Sequence, residues 1–322
     1  MRTLIILLLW STTNLSGCLA NTSAARTKQM DKCVNAGWHH EIVQVNGVRR
    51  QFFWQAPHGS WQKGAILVLH GGGGHADQFC NADWRFLTPQ VDFAERAVSQ
   101  GFAVFLLDSS DQSTDIEGRA CGKIWDDEVR DRPNLDLPLI ENVIGAAIPR
   151  LRPPESQPTV FMTGLSSGGY MTVRAATHFN DQITGFAPIS NGDPYGWHRD
   201  CIKGLTLRKN VNGAGYDNET NKQIVEENAC EATQYPHENP WEGNSSLPRP
   251  RFLALHHRYD GINDFSCHLK VVHQLQRHGY EGTTFVLDSN TKRSLWNHLW
   301  QIEYNQPILD FFNSLLTVPA PH

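Results

Sequence analysis

An apolar run, Thr159-Val160-Phe161-Met162, leads into Gly164-Leu165-Ser166-Ser167-Gly168-Gly169, and helical spacing then continues to about Phe179. A strand that stops on a glycine-flanked serine and turns straight into a helix has few places to go. The turn must be tight, and glycines on either side let neighbouring backbones come close to it. Its serine then projects beyond the end of a sheet, and the next N–H stands at the positive end of a helix. The G-x-S-x-G spelling recurs in many glycine-rich loops, so the weight rests on the strand before it and the helix after it.

The rest of the chain repeats that alternation. His40 to Pro57 alternates apolar and polar residues about Asn46-Gly47, a hairpin signal. Ala65 to Leu69 is a continuous apolar run that ends in His70 and four glycines. Phe93, Ala97 and Val98 suggest a helix stopped by Gly101, and Phe102 to Leu107 is a second continuous run. Ile140 to Ile148 has helical spacing ahead of Pro153 and Pro154. Ile183 to Ile189, Arg251 to His256 and Thr283 to Leu287 read as strands, with helices from Phe265 to His278 and from Ile308 to Leu316. Continuous apolar strands alternating with helices predict a mostly parallel central sheet covered by helices on both faces. Residues 191–250 break the rhythm and read as a lid-like insertion in a domain spanning 38–318.

A serine nucleophile needs a base, and the base needs an orienting acid. After such a turn, the expected chain order is serine, acid, histidine. Asp260 ends the strand after the insertion and is the candidate acid; Asp264 is the runner-up, better placed to cap the helix that begins near Phe265. His298 is the one histidine between Thr283 and the final helix, and is the candidate base. His268, His273 and His278 fall along a predicted helix and read as surface residues. His70-Gly71-Gly72-Gly73-Gly74 follows an early buried strand, where backbone N–H groups of Gly71, Gly72 and Gly73 could join that of Ser167 around a developing oxyanion. A phosphate loop is the competing reading, but neither the Lys-Ser/Thr of a Walker motif nor G-x-G-x-x-G is present. The adjacent pairs His39-His40 and His256-His257 cannot easily face one metal from a strand, and H-E-x-x-H is absent, so no metal and no cofactor is expected.

Arg2 precedes the apolar run Leu4 to Trp10 and then small residues, the layout of a secretory signal over 1–20, with a polar leader over 21–37. Two processing routes stay open: cleavage after Ala20, or lipidation of Cys18 in Leu15-Ser16-Gly17-Cys18. Either leaves Cys33, Cys80, Cys121, Cys201, Cys230 and Cys267, an even number that reads as up to three disulfides in an exported protein. With 322 residues and 40% of them hydrophobic, the chain can bury one large core. A net charge of −5 without basic runs gives no reason to expect a nucleic-acid partner. The apolar run is too short to span a bilayer.

Val68 to Gly74, Gly164 to Gly169, His256 to Asp260 and His298-Leu299-Trp300 together resemble the poly(3-hydroxybutyrate) depolymerase-like esterases, relatives of the feruloyl and acetylxylan esterases. The resemblance covers residues 38–316 and implies an α/β-hydrolase fold with Ser166, Asp260 and His298 as triad. Ser167 and one of Gly71 to Gly73 would be the oxyanion donors. Two positions depart from the pattern, with His257 and Asn297 standing where the family usually has glycine. The implied activity is serine ester hydrolysis of small or oligomeric esters outside the cytoplasm. An acyltransferase with the same triad and a non-catalytic binding protein are the rivals. Ten tryptophans, among them Trp84, Trp125, Trp197, Trp241, Trp296 and Trp300, suggest an aromatic or sugar-binding wall, with His70, Trp197, Trp241 and Trp300 as the substrate-binding candidates.

Overall fold

The computed structural model describes residues 30–81, 84–111, 123–127, 133–195, 249–289 and 291–316. The hairpin comes first: β1 (His39–Val45) pairs antiparallel with β2 (Val48–Gln55). Asn46 and Gly47 at its tip have φ of 50° and 78°, the left-handed pair that a two-residue turn between twisted strands requires. β2 pairs antiparallel with β4 (Ala103–Leu107). From there every pairing is parallel, through β3 (Ala65–Leu69), β5 (Val160–Leu165), β6 (Gly185–Ile189), β7 (Arg251–His257) and β8 (Gly282–Leu287). The strand order is β1-β2-β4-β3-β5-β6-β7-β8.

Period-two alternation explains why the inner strands are apolar throughout. Ala65, Leu67 and Leu69 of β3, with Ala103, Phe105 and Leu107 of β4, enter one core. There they meet α2 (Leu137–Asn142, continued by Val143–Ala147 and Ile148–Leu151), α3 (Ser167–His178) and α4 (Phe265–Arg277). Ile66, Val68, Val104 and Leu106 point the other way, into a core closed by α1 (Thr88–Ser99) and α5 (Asn305–Leu316). A five-residue π segment, Val143–Ala147, interrupts α2 just before Pro149, which has no N–H to donate. Cys33 and Cys80 are joined by a disulfide that pins the hairpin's leading segment to the loop after β3. Cys267 is disulfide-bonded too, to a partner outside the described residues.

The strand order also decides where a site can form. From β3 the chain passes through α1 to β4 on one side, and from β5 through α3 to β6 on the other. The loops after the adjacent strands β3 and β5 therefore diverge, leaving a crevice at the carboxyl edge of the sheet, where open α/β sheets bind their ligands. The glycine run occupies one lip and Ser166 the other. The first residues of the predicted insertion belong to the body: Asn191 to Tyr195 are buried, and Tyr195 shares a hydrogen bond with Thr177 of α3. Residues 196–248 of the insertion, the signal and leader segments up to residue 29, and Cys18, Trp197 and Trp241 lie outside the described residues.

Candidate active site

Ser166 has φ 54° and ψ −118°, a left-handed conformation that strains any residue bearing a Cβ. The turn is held by its neighbours. Ser166 N donates to Ile189 O of β6 at 2.9 Å, and Tyr170 N donates to Ser166 O at 2.9 Å to open α3. The flanking glycines are a packing requirement. A Cβ on Gly168 would lie 2.4 Å from His70 O and 2.6 Å from Leu69 O, and one on Gly164 would lie 2.5 Å from Gly168 O. These contacts are to backbone, so a side chain there would force α3 away from β3.

Asp260 and His298 meet beyond the same edge. Although one follows β7 and the other β8, the two loops are bridged: Asp260 pairs with Ser294, Gly261 N donates to Ser294 O at 3.0 Å, and Ser294 N donates to Tyr259 O at 3.3 Å. His298 Nδ1 lies 2.8 Å from Asp260 Oδ2 and 3.0 Å from Oδ1. A carboxylate only accepts, so Nδ1 donates a proton to it, and the tautomer this selects for the neutral imidazole has its lone pair on Nε2. Asp260 Oδ1 also accepts from Ile262 N at 2.7 Å and Asn263 N at 3.0 Å. Burial alone would raise the Asp260 carboxyl, but the His298 imidazole, His256 and the loop N–H groups outweigh it and hold it below its ordinary value. The carboxyl is fully buried and stays ionised as the imidazole's partner. Asp264, the runner-up, caps α4 by accepting from Ser266 N at 2.8 Å and pairs with Arg293.

Both departures from the family pattern make bonds in this loop pair. Asn297 Nδ2 donates to Tyr259 O at 2.8 Å and to Lys292 O at 2.9 Å, tying the histidine loop to the acid loop. His257 Nδ1 accepts from Tyr259 N at 3.1 Å.

On the opposite lip, His70 has no exposed surface, so it has none to offer a substrate. Its Nε2 accepts from Ser109 N at 3.1 Å, which leaves Nδ1–H to donate to Gly71 O at 2.7 Å. That bond orients the peptide between Gly71 and Gly72. Burial drives the His70 imidazole down to about 4, against the pull of Asp108. A histidine depressed in the folded state takes up a proton more readily when unfolded. Stability must therefore fall as pH drops from about 6.5 to about 4, by about 3 kcal/mol from this residue alone. Denaturant melts at pH 7.5, 5.5 and 4.5 should show wild type losing stability more steeply than His70→Gln. Parallel curves would refute it.

Two other expectations give way to packing. Trp300 is 1% exposed and sits in the core against Phe79 and Phe93, its Nε1 donating to Asn305 Oδ1 at 2.7 Å, so it does not line a site. His268 is not a surface residue but fully buried, its ring tilted by 33° against that of His256 with centroids 4.8 Å apart. The reason was available in the spacing: His268, Val271, Val272 and Leu275 form the i, i+3, i+4, i+7 face of α4. Burial holds its ring well below the ordinary value, so it is neutral. The buried charges behind the glycine lip had only weak sequence signals, an Arg in a core strand and an Asp directly after an apolar one. Lys123 meets Asp108 and Asp111, and Arg50 pairs with Asp136 at 2.5 Å.

A strained serine after β5, an acid after β7 and a histidine after β8, on one edge of a mostly parallel eight-stranded sheet, can be compared with known proteins. No family model matches the sequence, and no curated protein matches it. Solved structures do. An acylaminoacyl peptidase from Pyrococcus horikoshii superposes with a TM-score of 0.55 at 16% identity, over 88% of this chain and 42% of that one. An esterase from Pyrococcus furiosus does so with a TM-score of 0.55 at 11% identity, over 87% and 94%. The fold is that of the α/β-hydrolases. A Staphylococcus aureus S-formylglutathione hydrolase shares this α/β-hydrolase fold with a TM-score of 0.52 at 14% identity, over 87% and 98%. The chain spans about two fifths of the length of the acylaminoacyl peptidases it matches. At these identities the likeness is one of fold, and the chemistry must be argued from the residues.

Proposed function

We propose that the protein is a serine ester hydrolase working through an acyl-enzyme, with Ser166 as nucleophile, His298 as base and Asp260 as orienting acid. The observation that carries this reading is the buried His298–Asp260 hydrogen bond at 2.8 Å, on the same sheet edge as the strained Ser166 turn. Because Nδ1 is committed to Asp260, Nε2 can take the Ser166 proton as Oγ attacks an ester carbonyl. The carbonyl oxygen, now negative, is held by the Ser167 N–H at the head of α3 and by an N–H of Gly71 or Gly72; Gly73, also expected from the sequence, is ruled out because its N–H already donates to Lys123 O at 2.7 Å. His298 returns the proton to the departing alcohol. Water, activated by the same imidazole, then releases the acid and restores Ser166.

The substrates fitting this reading are small or oligomeric esters of hydroxyalkanoate, feruloyl or acetyl type. We also propose export: the Cys33–Cys80 disulfide supports it, and no helix among the described residues is long and apolar enough to cross a membrane.

The test is covalent labelling with a fluorophosphonate followed by peptide mapping, beside a panel of p-nitrophenyl esters, methyl ferulate, acetylated xylan, hydroxybutyrate oligomers and an N-acylamino-acid anilide. The expected result is one label, at Ser166, and turnover of esters well above the anilide. A label elsewhere would refute the assignment, and an anilide preference would make the protein a peptidase. Product analysis with added acceptor alcohols separates hydrolysis from acyl transfer.

A further inference from the structure

The two proposed oxyanion donors sit on separate loops, one after β3 and one after β5, and four consecutive glycines make the first loop intrinsically loose. A third segment, outside both, is bonded to each. In Lys123–Asp127, from the connection between β4 and α2, Lys123 O accepts from Gly73 N at 2.7 Å, and Trp125 N donates to Ser167 Oγ at 3.1 Å. The Trp125 indole Nε1 donates to His70 O at 2.8 Å, with its ring 5.1 Å from the His70 imidazole. Ile124 fills the notch between the loops: a Cβ on Gly72 would lie 3.8 Å from Ile124 Cδ1 and 3.9 Å from Ser167 Cβ.

The segment is itself anchored at both ends by buried charge. Lys123 Nζ donates to Ser109 O at 2.8 Å and meets Asp108 at 3.1 Å and Asp111 at 2.8 Å. Asp126 N donates to Asp136 Oδ2 at 2.7 Å, and Arg50 holds the other oxygen of Asp136. Arg174 of α3 donates to Asp126 O at 3.0 Å, so the helix carrying Ser167 is tied to the segment twice.

We infer that Lys123–Asp127 is a strut that sets the spacing of the oxyanion hole, with Trp125 and the Ser167 hydroxyl as its positioning groups. The inference rests on the serine-hydrolase reading above. Oxyanion donors are effective only within a few tenths of an ångström of the distance at which they meet the negative oxygen. Sheet pairing of β3 with β5 fixes the loops only as far as Leu69 opposite Gly164. Beyond that point the loops touch only by packing, where Gly168 lies against the backbone of Leu69 and His70 and Gly71 lies against Leu165, and the strut adds hydrogen bonds to both. The Ser167 side chain thus has a role distinct from that of its backbone N–H: its Oγ accepts the bond that fastens the first turn of α3 to the far lip.

Trp125→Phe keeps a ring against His70 and removes the bond to His70 O. Ser167→Ala keeps the backbone donor and removes the acceptor for Trp125 N. Each should lower kcat for a p-nitrophenyl ester by about 10- to 100-fold with KM nearly unchanged. Affinity for an alkyl boronic acid, which forms a tetrahedral adduct on the serine, should fall by the same factor, whereas affinity for the carboxylic acid product should hold. Wild-type kcat and boronate affinity in both variants would overturn the strut. So would a fall in kcat with boronate affinity intact, or loss of the folded state in both, since the segment would then serve the fold as a whole. Ser166→Ala run alongside separates the two claims: hydrolysis that survives it overturns the serine assignment and the strut with it. Hydrolysis that it abolishes, but that ignores Trp125→Phe and Ser167→Ala, overturns the strut alone.

Discussion

Ser166→Ala should lower kcat for ester hydrolysis by about 10,000-fold or more while leaving the fold intact. The substitution removes only Oγ. Alanine retains the Cβ that makes φ of 54° unfavourable, so the strain of the turn is the same before and after. The bonds that hold the turn, Ser166 N to Ile189 O and Tyr170 N to Ser166 O, are backbone bonds and survive. Thermal melting should therefore be nearly unchanged while steady-state turnover of p-nitrophenyl butyrate collapses to what the oxyanion donors and binding alone can sustain. Turnover within tenfold of wild type would remove Ser166 from the mechanism.

Asp260→Asn should also cost about 10,000-fold in kcat at neutral pH, for a different reason. An asparagine can turn its carbonyl toward Ile262 N and Asn263 N, the two loop donors that Asp260 Oδ1 serves, and so keep the loop's shape. Its NH2 then faces His298 Nδ1, which must become an acceptor. The proton moves to Nε2, and the imidazole can no longer take one from Ser166. A KM near that of wild type with a collapsed kcat is the expected signature. Asp264→Asn supplies the contrast: asparagine can still cap α4 but loses the charge that pairs with Arg293, so the melting temperature should fall slightly and kcat stay within a few-fold. If Asp264→Asn were the variant that abolished turnover, the acid assignment would have to move.

Much of this geometry was legible in the sequence. The continuous apolar runs at 65–69 and 102–107 are strands buried on both faces, because alternate side chains feed two separate cores. Asn46-Gly47 could hardly be anything but a left-handed hairpin turn. The strand before Ser166 and the helix after it stand where their periodicity put them, and chain order singled out Asp260 and His298, which the structure joins by a hydrogen bond. Where the reading failed, it failed on side chains whose surroundings come from distant segments. Trp300 is aromatic and near His298 in sequence, yet Phe79 and Phe93 enclose it from more than 200 residues away. His268 was misread more simply, since its own helix face shows it buried.

Local chemistry follows from the order of the residues: which residue stands on the strained turn, which helix starts beside it, and which strands are apolar enough to be enclosed. These are matters of neighbours along the chain, governed by backbone sterics and periodicity. The spacing of the two lips and the meeting of Asp260 with His298 depend instead on how distant segments pack. Bridging the Tyr259–Gly261 loop to Ser294, and bracing Gly73 and Ser167 through Lys123–Asp127, takes hydrogen bonds between segments about 35 to 50 residues apart. No local preference encodes such bonds. They form because the sheet first brings the ends of β3, β5, β7 and β8 to one edge, where buried polar groups must find partners or destabilise the fold.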